Sequence, residues 1–310
     1  MTTARSPVAY SGEPGAFAED AVVAAFGEAV ERRPVGGFRE VFDAVAAGDV
    51  GAGVVPVENL VNGSVRETYD LLLEFDHEIG AEVVVPVELC LAAPSGRSID
   101  DVRRVYSHIQ ALGQAEGFLR GRPWSLLTTY NTAGAGKMVA ESGEDGAAAV
   151  LSPRAAHRYG LDVLAASIQD VPDNRTRFVV IRTRGEATAD AAGEAAVGEV
   201  TGRATGEAVG TVAADRANPV TDRTRYRTTL AFGVHNEPGT LLRALQVFAD
   251  RSINLSKLES RPSRNAAWEY VFWTDLDANA DDADCAAALT ELRAVATLVR
   301  TFGSYPRVAA

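Results

Sequence analysis

The stretch RTTLAFGVHNEPGTLLRALQVFADRSINLSKLESRP, residues 227–262, holds three hydrophobic patterns in succession. RTTLAFGVH (227–235) alternates, with Leu230, Phe232 and Val234 on one face, which predicts a half-buried strand. Asn236-Glu237-Pro238-Gly239 interrupts it, and Leu241, Leu242, Leu245 and Phe248 then recur at helical spacing. INLSKLESRP (253–262) returns to a strand. Further on, WEYVFWTDLD (268–277) predicts another strand, Asp281 and Asp282 cap and charge a helix running through Ala294, and TLVRTFGSY (297–305) closes as a fourth strand. The order βαββαβ is that of a ferredoxin-like unit of about 80 residues. A fold of this kind identifies no ligand by itself.

Immediately upstream, residues 186–225 contain no Leu, Ile, Phe, Met or Trp. Such a segment buries too little apolar surface to offset its ordering entropy. The expected organisation is a first domain at 1–185, a flexible linker at 186–226 and a second domain at 227–310.

In the first domain, short apolar runs alternate with helix-period segments. Strands are expected at VAYSG (8–12), GAGVVPVEN (51–59), AEVVVPVELCLAA (81–93, one long strand), VRRVYSH (102–108), SLLTTYN (125–131) and AAAVLSP (147–153). Helices are expected near 15–27, at 38–48 with Phe38, Val41, Phe42 and Val45 on one face, at 65–75, 109–120 and 133–141. The alternation predicts an α/β domain with a parallel-rich sheet, whose ligand site lies beyond the carboxyl ends of its strands.

Composition narrows the chemistry. The chain has 310 residues, is 46% hydrophobic, and carries a net charge of −12, which argues against nucleic acid or an anionic membrane as partner. Twenty-eight arginines against two lysines still leave local cations for a small anion. No apolar run is long enough to span a bilayer and the N-terminus has no apolar signal core, so a cytoplasmic location is expected. Cys90 and Cys285 have no partners at ligand spacing and read as buried hydrophobes; no metal and no cofactor is expected.

Four polar segments fall at strand-to-helix junctions: PVENLVNGSV (56–65), SHIQALGQ (107–114), YNTAGAGK (130–137) and DNRTRF (173–178). Ser107, Asn131 and Thr132 read equally as helix caps, and Lys137 lacks P-loop spacing. A carboxylate at Glu58, beside the apolar run GAGVVPV, needs a hydrogen bond or a function. DNRTRF sets a hydroxyl between two guanidinium groups ahead of the apolar strand FVVI. The inventory of hydroxyls, amides, carboxylates and arginine suits a reactive substrate that needs anchoring and modest proton help.

In this order, together with AYSGEPGAFAEDAV, NTAGA, EPGTLLRAL and ESRP, the motifs resemble those of the bacterial monofunctional prephenate dehydratases from near residue 8 to near residue 306. Ile109, Asn131 and Thr240 depart from the family's usual residues. The resemblance implies a catalytic region of two lobes around a cleft, similar to periplasmic binding proteins, and a regulatory ACT domain that pairs with its copy in a homodimer or homotetramer. It implies decarboxylative dehydration of prephenate to phenylpyruvate, with Thr176 as hydrogen-bond donor to the departing hydroxyl. Arg177 is implied as a carboxylate clamp, and Glu58 either as general acid or as the residue that orients Asn59. Ser107, Gln114, Asn131 and Thr132 complete the implied pocket, with Phe178 packed beneath. L-Phenylalanine is expected as allosteric effector at Asn236, Pro238, Gly239, Thr240 and Leu241 with Asn254, Leu255, Glu259, Ser260, Arg261 and Pro262. Arogenate dehydratase, a non-aromatising decarboxylase and a non-catalytic aromatic-metabolite sensor are the alternatives.

Overall fold

A computed structural model describes residues 6–185, 226–262 and 270–308. The expected linker therefore lies almost wholly outside the described residues. The chain divides into two compact units, one containing residues 83–181 with most of the N-terminal region, the other containing 76–82 with the C-terminal region.

The N-terminal region begins β1 (Val8–Ser11), α1 (Phe17–Phe26), β2 (Arg32–Val35), α2 (Phe38–Ala46), β3 (Ala52–Asn59), β4 (Gly63–Ser64), α3 (Arg66–Glu74) and β5 (His77–Pro86), the last of which starts in the second unit and ends in the first. It continues β6 (Cys90–Pro94), β7 (Arg104–Ser107), α4 (Ile109–Gln114), α5 (Glu116–Leu119), β8 (Ser125–Thr128), α6 (Thr132–Ser142), β9 (Ala147–Leu151), α7 (Pro153–Arg158), β10 (Leu161–Ala165) and β11 (Arg175–Thr183). Instead of one parallel-rich sheet there are two mixed ones, ordered β2-β1-β3-β11-β5 and β10-β6-β9-β7-β8. Parallel pairs (β1 with β2 and β3, β7 with β8 and β9) form the heart of each, and β11 and β6 join antiparallel.

The apolar run at 81–93 is not one strand. It crosses between the sheets, because Pro86 ends β5 and β6 begins at Cys90. The return crossing, 166–174, runs beside it: Ile168 N donates to Leu89 O at 2.9 Å and Val87 N to Asn174 O at 2.7 Å. Burial on both faces hid the break, since a continuous apolar run carries no period. Sheet-and-helix packing follows the expected faces; Val41, Phe42 and Val45 of α2 are buried.

The second unit has the expected order: β12 (Tyr226–Gly233), α8 (Thr240–Ala249), β13 (Leu255–Pro262), β14 (Tyr270–Leu276), α9 (Ala283–Val295) and β15 (Leu298–Pro306), with sheet order β13-β14-β12-β15. Leu230, Phe232, Ala244, Phe248, Leu276, Leu289 and their neighbours form the core under the two helices. Leu242, expected on the apolar face, is exposed. Asp282 takes the N-cap position of α9 without a side-chain cap bond. On the other face of the sheet, β15 runs so close to residues 76–82 that a side-chain carbon at Gly303 would collide with the Ile79 carbonyl. Both cysteines are buried, and burial pushes their thiols up to about 12 (Cys90) and about 11 (Cys285), which makes them inert. No described helix is long and apolar enough to cross a membrane.

Candidate functional site

Three of the four polar junctions follow the carboxyl ends of parallel strands β3, β7 and β8, and the fourth enters β11, the antiparallel neighbour of β3. The register sets Thr176 opposite Asn59 and Arg177 opposite Glu58. Alternation along a strand then assigns the two pairs to opposite faces.

The Asn59 face holds a dense amide network. Asn59 Nδ2 donates to Asn174 Oδ1 (2.9 Å), Thr176 Oγ1 (3.0 Å) and Arg175 O (3.1 Å). Asn59 Oδ1 accepts from Asn62 N (2.9 Å), Val61 N (3.1 Å) and, from the second lobe, Gln114 Nε2 (3.4 Å). Gln114 is held by its own carbonyl, which accepts from Asp170 N at 2.7 Å. With its oxygen accepting from Asn59, Thr176 keeps its proton available to donate elsewhere, and donation into an oxygen strengthens that oxygen's own O–H as a donor. Asn174, inside the quoted motif but given no role in the sequence reading, is 1% exposed. No local signal in the sequence singled it out, since its burial and the start of β11 at Arg175 both come from pairing with β3.

On the other face, Arg177 Nη2 donates to Glu58 Oε2 at 3.0 Å, and the Glu58 side chain is 37% exposed. Strand alternation therefore sets Arg177 on the face opposite Thr176, beside a partly exposed Glu58 carboxylate. The cause is that β11 starts at Arg175 rather than at Phe178, so the motif itself obeys strand alternation. A bulge between Arg177 and Phe178 then turns Phe178 into the core, where it is buried.

Ser107 is fully buried at the end of β7, with Oγ donating to Val150 O at 2.6 Å. The cap of α4 is instead His108, whose Nδ1 accepts from Gln110 N at 3.3 Å. Burial lowers the His108 pKa, which favours the neutral ring such acceptance requires. Asn131 caps α6 through Gly134 N at 2.5 Å, and Thr132 opens that helix. The loop after β1 ties the lobes together: Glu13 meets Tyr130 (3.0 Å) and Lys137 (3.2 Å), Tyr159 donates to Pro14 O (2.7 Å), and Ser152 to Gly15 O (3.1 Å). No cluster fit to hold a metal ion is found among the described residues.

In the second unit, Gly239 adopts a left-handed φ of +84° and lets Thr240 start α8, its hydroxyl donating to His235 O (2.6 Å) and Glu237 O (2.9 Å). This 236–241 turn leaves β12 at Gly233, which pairs with Val271, the partner of Arg261. Arg261 and Pro262 thus share a sheet end with Asn236, Pro238 and Leu241. Leu255 pairs with Leu276 at the opposite end, about 20 Å away at 3.3 Å per residue. Asn254 lies there too, bonded to Asp277 Oδ2 at 2.7 Å. One chain therefore cannot gather all eleven expected effector residues. Along β13, Glu259 shares a face with Lys257 (3.4 Å) while Ser260 points the other way.

Compared with known proteins, residues 8–186 match the family of prephenate dehydratases and residues 228–294 the ACT domain. A bifunctional chorismate mutase/prephenate dehydratase of Aquifex aeolicus is 36% identical, covering 97% of this chain and 73% of that protein. Arogenate dehydratase/prephenate dehydratase 2 of Arabidopsis thaliana is likewise 36% identical, with the same coverage. Among solved structures, the prephenate dehydratase of Arthrobacter aurescens in complex with L-Phe superposes with a TM-score of 0.78 at 27% identity, over 97% of this chain and 90% of that one. GqqA, described as a quorum-quenching acylase, does so at 0.77 and 28%, over 96% and 97%.

Proposed function

The chain belongs to the prephenate dehydratase family and carries an ACT domain, and on that premise we propose that it converts prephenate to phenylpyruvate, carbon dioxide and water under feedback control by L-phenylalanine. The observation that carries the reading is the Asn59 Nδ2 to Thr176 Oγ1 hydrogen bond at 3.0 Å. In the reaction the ring carboxylate leaves as CO₂, its bond electrons aromatise the ring, and the 4-hydroxyl departs with the C–O pair. One proton is consumed as hydroxide becomes water. Thr176 is a positioned donor to that oxygen rather than a strong acid, since an alcohol proton is held too tightly to be given away at neutral pH. Gln114, reaching Asn59 from the other lobe, completes the polar floor. The N-terminal end of the α6 dipole, with Asn131 and Thr132, suits a substrate carboxylate.

Acyl transfer, raised by the likeness to GqqA, has less support. Ser107 is buried and donates to a carbonyl, so His108 does not activate it. A sensor without turnover has no need of the Thr176 hydroxyl. The effector site is completed between two copies of the chain, which accounts for the 20 Å separation of its two halves and makes the protein a homodimer or homotetramer in the cytoplasm. No cofactor takes part.

The test is turnover of prephenate and of arogenate in competition, followed as phenylpyruvate and phenylalanine, with and without added L-phenylalanine. Phenylpyruvate formation, slowed by L-phenylalanine, is expected. Absence of product from either substrate refutes the enzymatic reading, and preference for arogenate moves the chain to the plant relatives' named activity.

A further inference from the structure

Asn174 sits where the two crossings between the lobes run side by side. Its carbonyl accepts from Val87 N at 2.7 Å and its amide donates to Val171 O at 3.2 Å. Its side-chain oxygen takes Asn59 Nδ2 at 2.9 Å. Which way the two amides face is dictated by donors and acceptors. Two backbone N–H groups, of Val61 and Asn62, hold the Asn59 oxygen, so Asn59 must turn its NH₂ toward Asn174. Asn174 must then present its oxygen, because two NH₂ groups facing each other repel. The consequence is that Asn174 Nδ2 is buried with no hydrogen-bond partner among the described residues. A buried donor left unmade opposes folding, so such groups are few in native proteins and call for a reason.

We propose that Asn174 is a positioning residue: acting through Asn59, it fixes Thr176 as a donor and ties that geometry to the Val87 crossing between the lobes. The Asn59 NH₂ group has two hydrogens and three acceptors in reach. With Asn174 Oδ1 occupying one hydrogen, the other is confined to the neighbouring Thr176 Oγ1 and Arg175 O. Without Asn174, both hydrogens are left to Arg175 O and Thr176 Oγ1, the amide loses its link to the Val87 crossing, and the Thr176 hydroxyl shifts with whatever position Asn59 then takes. The stranded Nδ2 is the cost of that arrangement, accepted so that the acceptor faces Asn59. The inference rests on the reading of Thr176 as donor to the departing oxygen.

Asn174→Ala, Asn174→Asp, Asn59→Ala and the double variant Asn59→Ala/Asn174→Ala, all in the full chain, test it by steady-state kinetics on prephenate. Asn174→Ala is expected to lower kcat about tenfold or more with KM within about twofold. The double variant is expected to be no slower than Asn59→Ala, since the two act in series. Asn174→Asp keeps the acceptor oxygen and removes the stranded donor, so its kcat is expected to stay within about threefold of the parent, a rescue that a packing role does not produce. The inference is overturned by a parental kcat in Asn174→Ala, or by a double variant that loses the product of the two single losses. Should Asn174→Ala fail to fold, an Asn174→Asp kcat as low as that of Asn59→Ala overturns it equally. A parent chain inactive on prephenate defeats the functional reading instead, so the two failures are told apart.

Discussion

Two buried polar clusters, one in each unit, obey different rules. The Asn59–Asn174–Thr176–Gln114 cluster is neutral and unsaturated: one amide is stranded and one hydroxyl proton remains to be given. The cluster beneath the second sheet is charged, and its ions are paired with one another, although the buried Arg227 Nε makes no hydrogen bond among the described residues. Arg227 pairs with Glu82 and lies 3.8 Å from Asp275; Glu82 also accepts from Val308 N at 2.9 Å, and Asp275 from Thr229 Oγ1 at 2.7 Å. Burying charge is costly unless each ion is paired, so opposite charges in such a cluster hold one another. Burying neutral amides is cheap enough to leave capacity over for a substrate. The difference predicts that substitutions in the charged cluster act on stability and substitutions in the neutral one act on rate.

The largest effect expected is on folding. Arg227→Ala removes the cation between Glu82 and Asp275 and should cost about 3–5 kcal/mol in denaturant unfolding. A loss below about 1 kcal/mol would show the cluster to be hydrated and the contrast false. Next, Thr176→Ala should lower kcat by about 10²–10³-fold with Tm unchanged. A large fall in Tm with little change in rate would reverse the two assignments.

Asp20 sharpens the comparison because it is a paired carboxylate whose compensation is incomplete. Burial raises its pKa from 3.8 to about 6, in spite of Arg154 at 2.9 Å. A carboxyl more basic when folded contributes stability that is full below pH 3.8 and lost as pH rises through about 6. Thermal unfolding from pH 3.5 to 7 should show that loss, at most about 3 kcal/mol, and Asp20→Asn should flatten it. An identical profile in the variant would place the titration elsewhere. The smallest effect expected is at Asn131, neutral like the first cluster but engaged as a cap. Asn131→Ala should cost about 1 kcal/mol of stability. A rate loss exceeding the stability loss would support the substrate-carboxylate contact proposed for the α6 N-terminus, and unchanged kcat and KM would remove it.

How much was legible follows from the range of the forces involved. The βαββαβ unit was readable because periods of 2 and 3.6 are local, and each of its elements has one wet face. The first domain was readable as an ordered set of motifs but not as two sheets. Nor were β2, with Pro34 in an edge strand, α7 and β10 anticipated; their short segments carry little period. Of the candidate site, Asn59, Gln114 and Thr176 meet, whereas Glu58 and Arg177 pair with each other on the opposite face.

The sequence alone determined which residue types stand at the strand ends, the order of the motifs, the βαββαβ unit and the family. Tertiary structure alone decided that 81–93 is divided between two sheets, that the strand containing Thr176 reaches back to Arg175, and that Asn174 faces Asn59. The physical reason is that a strand's beginning and its facing are set by the backbone donors and acceptors of the partner strand. That partner, β3, lies more than a hundred residues away along the chain.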